Sequence, residues 1–184
     1  MKARTVDRIF ELYSRFGAAN YIGEPISQIE HMAQAAELAM LEGYDDEVVL
    51  AAFFHDIGHL CVTKTDDSDL NGLGIVKHEK IGADFLRGLG FPERIAILVE
   101  SHVEAKRYLC WHDPEYFHKL SDASKRPLAL QGGFMNEDEA IAFESNPLAE
   151  LMIKMREWDD LAKEVNIPLI DLQILKRKML SVLA

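Results

Sequence analysis

Apolar residues recur every three or four positions along most of the chain, and no stretch alternates polar and apolar as a half-buried strand would. Ile95, Leu98, Val99 and His102 fall at i, i+3, i+4 and i+7 behind Pro92, a residue suited to a first helical turn. Leu148, Leu151, Met152, Met155, Asp159 and Ala162 mark another stripe, and Leu172, Leu175, Met179 and Leu183 a third, opened by Pro168. His78, Ile81, Phe85 and Leu89 share a face on a segment that stops at Gly88 and Gly90. Earlier helices are predicted over residues 6–16 and 27–41. Residues 48–60, with Asp45 or Asp46 as the cap, are apolar nearly all round, which puts that helix in the middle of a bundle. The pattern predicts an all-α, single-domain helical bundle over residues 1–184.

Two stretches break the period. Residues 61–76 contain a short acidic and amide-rich run with glycines, and residues 111–136 mix aromatics, Ser, Pro and the pair Gly132-Gly133. Loops this long inside a compact domain often carry function, so both are candidate lids.

Composition narrows the partner. With 48% hydrophobic and 28% charged residues the chain folds, and 184 residues suit one domain. A net charge of −11 argues against a nucleic-acid or anionic-membrane partner, yet leaves a small anionic substrate open if a metal sets the local charge. The N-terminal residues lack a signal-like apolar run, and the longest apolar stretch, residues 48–54, is far short of the roughly 18 that suggest a membrane span. Cys61 and Cys110 are too few for a disulfide framework and read as ordinary thiols, which points to a cytoplasmic setting.

The informative feature is the placement of His and Asp. Histidines at 31, 55, 78 and 102 are separated by 24, 23 and 24 residues, about one helix and one return each. Four successive helices can therefore bring one imidazole apiece to a common centre. Each lies on or beside an apolar face, where an unsatisfied polar ring is costly. Asp56 adjoins His55, and Asp159 stands one turn beyond Met155. A single such histidine is usually a hydrogen-bonded core residue, but six inward ligands of this kind stabilise nothing unless metal ions satisfy them. Neighbouring helical residues point about 100° apart, so the His55-Asp56 pair suits two adjacent ions with the carboxylate bridging. Imidazole donors favour iron, manganese, cobalt or zinc over magnesium or calcium.

The order His31, His55-Asp56, Asp159 resembles the HD-domain superfamily, an all-α fold of metal-dependent enzymes, most of them phosphohydrolases. His78 and His102 match its two-metal subset, and the six together look like the mixed-valent diiron oxygenases. Within that subset the likeness is to the phosphonate-cleaving oxygenases. It is carried by Tyr21-Ile22-Gly23-Glu24, by residues 51–59, by Ser101-His102-Val103-Glu104-Ala105-Lys106-Arg107-Tyr108, by Leu120-Ser121-Asp122-Ala123-Ser124-Lys125, by Gln131-Gly132-Gly133 and by Arg156-Glu157-Trp158-Asp159-Asp160.

The resemblance implies two irons, Fe(II) and Fe(III), bridged by Asp56 and held by His31, His55, His78, His102 and Asp159. It implies oxygen-dependent cleavage of a 1-hydroxy-2-aminoethylphosphonate-type substrate to phosphate and glycine, or to an N-methylated glycine such as glycine betaine. A separate phosphonate-hydroxylating dioxygenase would supply that substrate. His59 lies one turn after His55, Lys106 one turn after His102 and Arg156 about one turn before Asp159; all three can converge on phosphonate oxygens, Arg156 in two-pronged fashion. Ser124 and Gln131 match positions near the phosphonate. Tyr21 is expected to gate the oxygen-binding iron, with His59 and Lys106 beside it in catalysis, and Glu24 to anchor the substrate amine. A quaternary ammonium would instead ask for an aromatic cage, for which Tyr108, Trp111, Tyr116 and Phe117 are candidates. His112 and His118 read as non-ligands. Two other readings stay open: a phosphohydrolase acting on a nucleotide or phosphate ester through metal-activated water, and a non-catalytic metal-binding bundle.

Overall fold

A computed structural model describes residues 2–21, 23–62 and 75–183. Its helices are α1 (Lys2–Phe16), α2 (Gln28–Leu41), α3 (Asp46–Phe54), α4 (Gly58–Cys61), α5 (His78–Gly88), α6 (Glu93–His112), α7 (Pro114–Lys119), α8 (Asp122–Leu128), α9 (Glu137–Glu144), α10 (Ala149–Leu161) and α11 (Leu172–Val182). Among the described residues no strand forms; the Asn20–Ser27 bridge closes a short turn. The bundle is all-α, as the periodicity predicts.

The caps follow from local chemistry. Ser27 and Glu30 form a capping box that starts α2, and Asp45, not Asp46, caps α3 through the amides of Glu47 and Val48. Helix α3 is the axis of the molecule: Val48 to Phe54 are all buried, and α2, α6, α10 and α11 pack around it. Tyr13 of α1 donates to the Phe53 carbonyl at 2.9 Å, which ties the outer helix to that axis.

Several boundaries differ from the sequence reading. Pro92 is the N-cap residue of α6 and stands just outside it. Helix α11 starts from an Asp171 cap, so Pro168 lies in the preceding connection. Residues 111–136 hold the end of α6 and two short helices, and α9 beyond them carries its own Asn136/Glu139 capping box. The other expected lid, residues 61–76, falls largely on residues 63–74, outside the described residues.

The largest departure matters for the site. The helix expected to run through Leu60 stops at Phe54 and restarts at Gly58. Between them the amides of Ile57, His59 and Leu60 bond carbonyls three residues back, at 2.9, 3.0 and 2.9 Å, so the chain tightens by one turn. Gly58 permits this: a Cβ there would lie 1.9 Å from the His78 carbonyl oxygen. Helix α5 therefore approaches backbone to backbone at the His55-Asp56 turn.

Candidate metal centre

The four histidines singled out by spacing meet Asp56 and Asp159 in the bundle interior. His31 comes from α2, His55 and Asp56 from the turn after α3, His78 from the first position of α5, His102 from α6 and Asp159 from α10. Lys77 turns into the left-handed region, at φ 56°, immediately before His78.

The six side chains form two halves around one carboxylate. In the first, His31 Nε2 and His55 Nε2 stand 2.9 Å apart, and Asp159 Oδ1 lies 3.3 and 3.9 Å from them. In the second, His78 Nε2 and His102 Nε2 are 3.0 Å apart. Asp56 faces both: its Oδ2 is 3.7 Å from each nitrogen of the first half, and its Oδ1 is 3.3 and 3.5 Å from His78 and His102.

Backbone carbonyls orient every ring. The Nδ1 atoms of His31, His55, His78 and His102 meet the carbonyls of Ala162, Ala52, Ile75 and Val99 at 2.8, 2.8, 3.3 and 2.7 Å. A carbonyl only accepts, so each Nδ1 carries the hydrogen and each neutral ring turns a bare Nε2 lone pair inward. Two lone pairs facing each other at such distances need a cation between them. Asp159 Oδ1 is likewise buried with no hydrogen-bond donor. Nitrogen ligands at right angles on a metal ion, with bonds of about 2.1 Å, are about 3 Å apart. The donor set therefore fits metal ions, and it is the set that imidazole-rich transition-metal sites use.

The titration behaviour has the same cause. Burial alone would raise Asp56, but the imidazoles around it, His55 foremost, hold it well below the usual carboxylate range. Burial would also raise Asp159, and Arg156 with His31 and His55 holds it well below that range. Burial, then His78, pushes His102 down to about 3, whereas Asp56 outweighs burial at His78 and raises it.

His59 is oriented oppositely. The Ile75 amide donates to its Nδ1 at 3.2 Å, so the neutral ring carries its hydrogen on Nε2, 3.9 Å from Asp56 Oδ1. Its ring stacks on His78 with centroids 4.0 Å apart. It offers a donor beside the centre, not a bare lone pair.

A cavity of about 50 Å³ opens beside Asp56, His78, His102 and Asp159. At 10–15 Å³ per water that is room for only about four. Lys106, Arg156, Ser124, Gln131, His59 and Tyr21 also line it. Lys106 donates to Gln131 Oε1 at 2.6 Å, and burial, reinforced by Arg156, lowers its pKa to about 8. Arg156 is wholly enclosed: it donates to Asp159 Oδ2 at 2.7 Å, to Ser124 Oγ at 3.1 Å, to Tyr116 Oη at 3.0 Å and to both oxygens of Asp160. Four of its five N–H groups are thus engaged, so a two-pronged grip on a phosphonate is not available in this arrangement. Arg156 instead braces Asp159. Tyr21 stacks on His31, with centroids 3.9 Å apart and planes at 17°, and burial followed by Asp159 keeps its phenol protonated far above its usual range. Glu24 sits just outside the cavity lining, its Oε1 3.9 Å from Lys163 Nζ.

The candidate aromatic cage does not assemble at this cavity. Tyr108 stacks on Phe143 and donates to Glu144, Phe117 packs on Phe134, Trp111 is partly exposed, and Tyr116 donates to Asp160. His112 meets the Tyr108 hydroxyl, away from the centre. Asp160, the partner of both Tyr116 and Arg156, was readable only as an i+4 neighbour of Arg156, and Gln28, which also lines the cavity, carries no sequence signal of its own.

Comparison with known proteins agrees with this architecture. A family model described as HD domain matches residues 29–142, and the chain belongs to the HD-domain family. That span contains the four inward histidines and Asp56; Tyr21, Glu24, Arg156 and Asp159 lie outside it. Whole-chain relatives reach further. An uncharacterized protein of Acanthamoeba polyphaga mimivirus is 44% identical over 87% of this chain and 73% of its own. A glycine-betaine-forming 1-hydroxy-2-(trimethylamino)ethylphosphonate dioxygenase of Leisingera caerulea is 38% identical over 90% of this chain and 84% of its own. A hydroxymethylphosphonate dioxygenase of Gimesia maris is 38% identical over 91% of this chain and 83% of its own. Dioxygenase relatives aligned over nine-tenths of its length make this protein an enzyme of the oxidoreductase class. Among the described residues no helix is long and apolar enough to cross a membrane.

Proposed function

We propose that this protein cleaves the carbon–phosphorus bond of a 1-hydroxy-2-aminoethylphosphonate-type substrate with dioxygen, giving phosphate and glycine or an N-methylated glycine. The observation that carries the reading is the pair of opposed Nε2 sites sharing Asp56, set against a small cavity with Lys106, His59 and Arg156 at its wall. The two phosphonate-acting relatives support the substrate class.

The chemistry balances without a further reductant: R–CH(OH)–PO₃H₂ and O₂ give R–COOH and H₃PO₄, one oxygen atom going to each product. Two iron ions, Fe(II) and Fe(III), held by His31, His55, His78, His102, Asp159 and a bridging Asp56, would supply the one-electron steps with dioxygen. Their five positive charges against two carboxylates leave an excess that suits a phosphonate and an alkoxide.

The chain's own groups set up the rest. Lys106 brings a point charge to the phosphonate, oriented by its bond to Gln131. His59 Nε2–H donates from the same side, and Ser124, held by Arg156, offers its hydroxyl. Arg156 keeps Asp159 ionised and fixed. Tyr21, stacked on His31, covers the half where oxygen would enter and has to move for it. Glu24, on the same turn, anchors the amine. The segment at 111–136 acts as a lid that excludes water, and a phosphonate-hydroxylating enzyme supplies the substrate in the cytoplasm.

The test is anaerobic reconstitution with iron, partial oxidation, and electron paramagnetic resonance with and without the hydroxyphosphonate, followed by turnover in labelled dioxygen. A coupled Fe(II)/Fe(III) signal that shifts on substrate addition is expected, with one label in phosphate and one in the acid. Hydrolysis of a phosphate ester without oxygen, and no C–P cleavage with it, would overturn the proposal in favour of a phosphohydrolase.

A further inference from the structure

One polar group at the cavity has no work in the scheme above. Gln28 is the first residue of α2, three positions before His31 and so on the same helical face. Only 5% of it is exposed, it lines the cavity, and its Oε1 is sealed from solvent with no hydrogen-bond donor. Its backbone is fixed, since its amide donates to the Ala19 carbonyl at 2.9 Å. The other polar lining groups are accounted for. Ser124 holds Arg156, Gln131 holds Lys106, His59 accepts the Ile75 amide, and Asp159 Oδ1 belongs to the metal set.

A buried amide carbonyl without a donor is costly, and one kept at a ligand cavity is waiting for a donor from the ligand. A fully ionised phosphonate brings only acceptor oxygens and would be repelled by it. An ammonium group brings N–H donors. A second sealed acceptor stands on the same chain turn: Glu24 Oε1 has no hydrogen bond, its nearest cation being Lys163 at 3.9 Å. The Tyr21 amide donates to the Ile26 carbonyl at 2.8 Å and the Glu24 amide to the Tyr21 carbonyl at 3.0 Å.

We infer that Gln28 determines specificity at the end of the substrate remote from phosphorus, its amide oxygen accepting from a primary ammonium and selecting against quaternary nitrogen. The inference rests on the phosphonate reading and sharpens it. A trimethylammonium group has no N–H to give, so it would leave Gln28 Oε1 unsatisfied.

The experiment separates this idea from the reading beneath it by using unreactive probes. Iron-loaded protein under anaerobic conditions is titrated calorimetrically with 2-aminoethylphosphonate, its N-trimethyl form and ethylphosphonate, which all lack the reacting hydroxyl. The wild type is expected to bind the primary amine at least about tenfold more tightly than either other probe, and Gln28→Leu to lose that preference while binding ethylphosphonate within about threefold of wild type. Gln28→Glu, which keeps an acceptor and adds a charge, is expected to retain or increase the preference, so the test stands even if the leucine variant does not fold. An amine preference untouched by Gln28→Leu, or abolished equally by Gln28→Glu, overturns the inference while C–P cleavage survives. A Gln28-dependent preference in a protein that cleaves no C–P bond leaves the inference standing and sinks the reaction. Equal affinity for all three probes in the wild type overturns the inference outright.

Discussion

The two halves of the centre share one carboxylate and the same kind of imidazole pair, yet their surroundings differ. The His31–His55 half is enclosed: both rings are fully buried, Asp159 is braced by Arg156 from behind, and Tyr21 lies flat on His31. The His78–His102 half forms the wall of the cavity, with His59 stacked on it and Lys106 beside it. Both halves reach the cavity, but one pair is braced through Asp159 and covered by a ring, and the other has His59 and Lys106 beside it. The contrast teaches that two like imidazole pairs can be given different surroundings: on the proposed reading, the neighbouring side chains decide which side would meet the anion and which is covered.

Removing what the halves share should have the largest effect. Asp56→Ala is expected to abolish uptake of a second metal and to lower turnover by at least about 10³-fold, since metal assistance is worth several kcal/mol. Metal content and rate on the same preparation check this; a variant that still binds two equivalents would break the two-half picture.

Next is the brace of the enclosed half. Arg156→Gln leaves the buried Asp159 without its cation and the half-buried Asp160 with Lys163 alone, at a cost of about 3–5 kcal/mol to the folded state. Denaturant midpoints of the metal-free proteins measure it, and a loss below about 1 kcal/mol would mean the network is not holding the fold.

On the cavity side, Lys106→Met is expected to raise KM for a hydroxyphosphonate by about 10- to 100-fold with kcat changed much less, as loss of one charged hydrogen bond implies. The lysine also sets a pH signature. With its pKa lowered to about 8 it is protonated below that pH and neutral above it, so phosphonate affinity should fall as pH rises past about 8. Stability runs the other way. An unfolded lysine keeps its proton to about 10.4, so between the two values the unfolded chain binds more protons and the metal-free fold gains stability with rising pH. KM profiles of wild type and Lys106→Met decide the first point, the variant being expected to lose the inflection.

The smallest effect is assigned to Tyr21. Tyr21→Phe keeps the stack on His31 and loses the hydroxyl, so turnover should change by less than about tenfold while oxygen consumption without substrate rises. An oxygen electrode reading equal to wild type would remove the gate. Glu24→Ala tests its neighbour in the same series: preference for amino over non-amino substrates should fall by about tenfold.

Much of this centre could be read from residue types and intervals. Six potential ligands were legible because histidines at a spacing of one helix plus one return, on apolar faces, have few other uses. The break at residues 55–57 was not, because the run from Val48 to Leu60 is apolar on most faces and the break sits beside a distant close approach, Gly58 against His78. Arg156 read as a free fork since sequence cannot show that Tyr116 and Asp160 take its hydrogens. Helix α9 escaped a periodicity search because it is short, though Asn136 and Glu139 were its signal.

The amino-acid order alone determined an all-α chain with one central helix apolar nearly all round, because helical period and capping chemistry are local and each face must be buried somewhere. It also determined which residue types reach the interior. Only the packed bundle decided how they point, since a ring's tautomer depends on a carbonyl met in folding. Four imidazoles turn bare nitrogens inward because backbone carbonyls hold their outer nitrogens, and His59 turns the other way because an amide does.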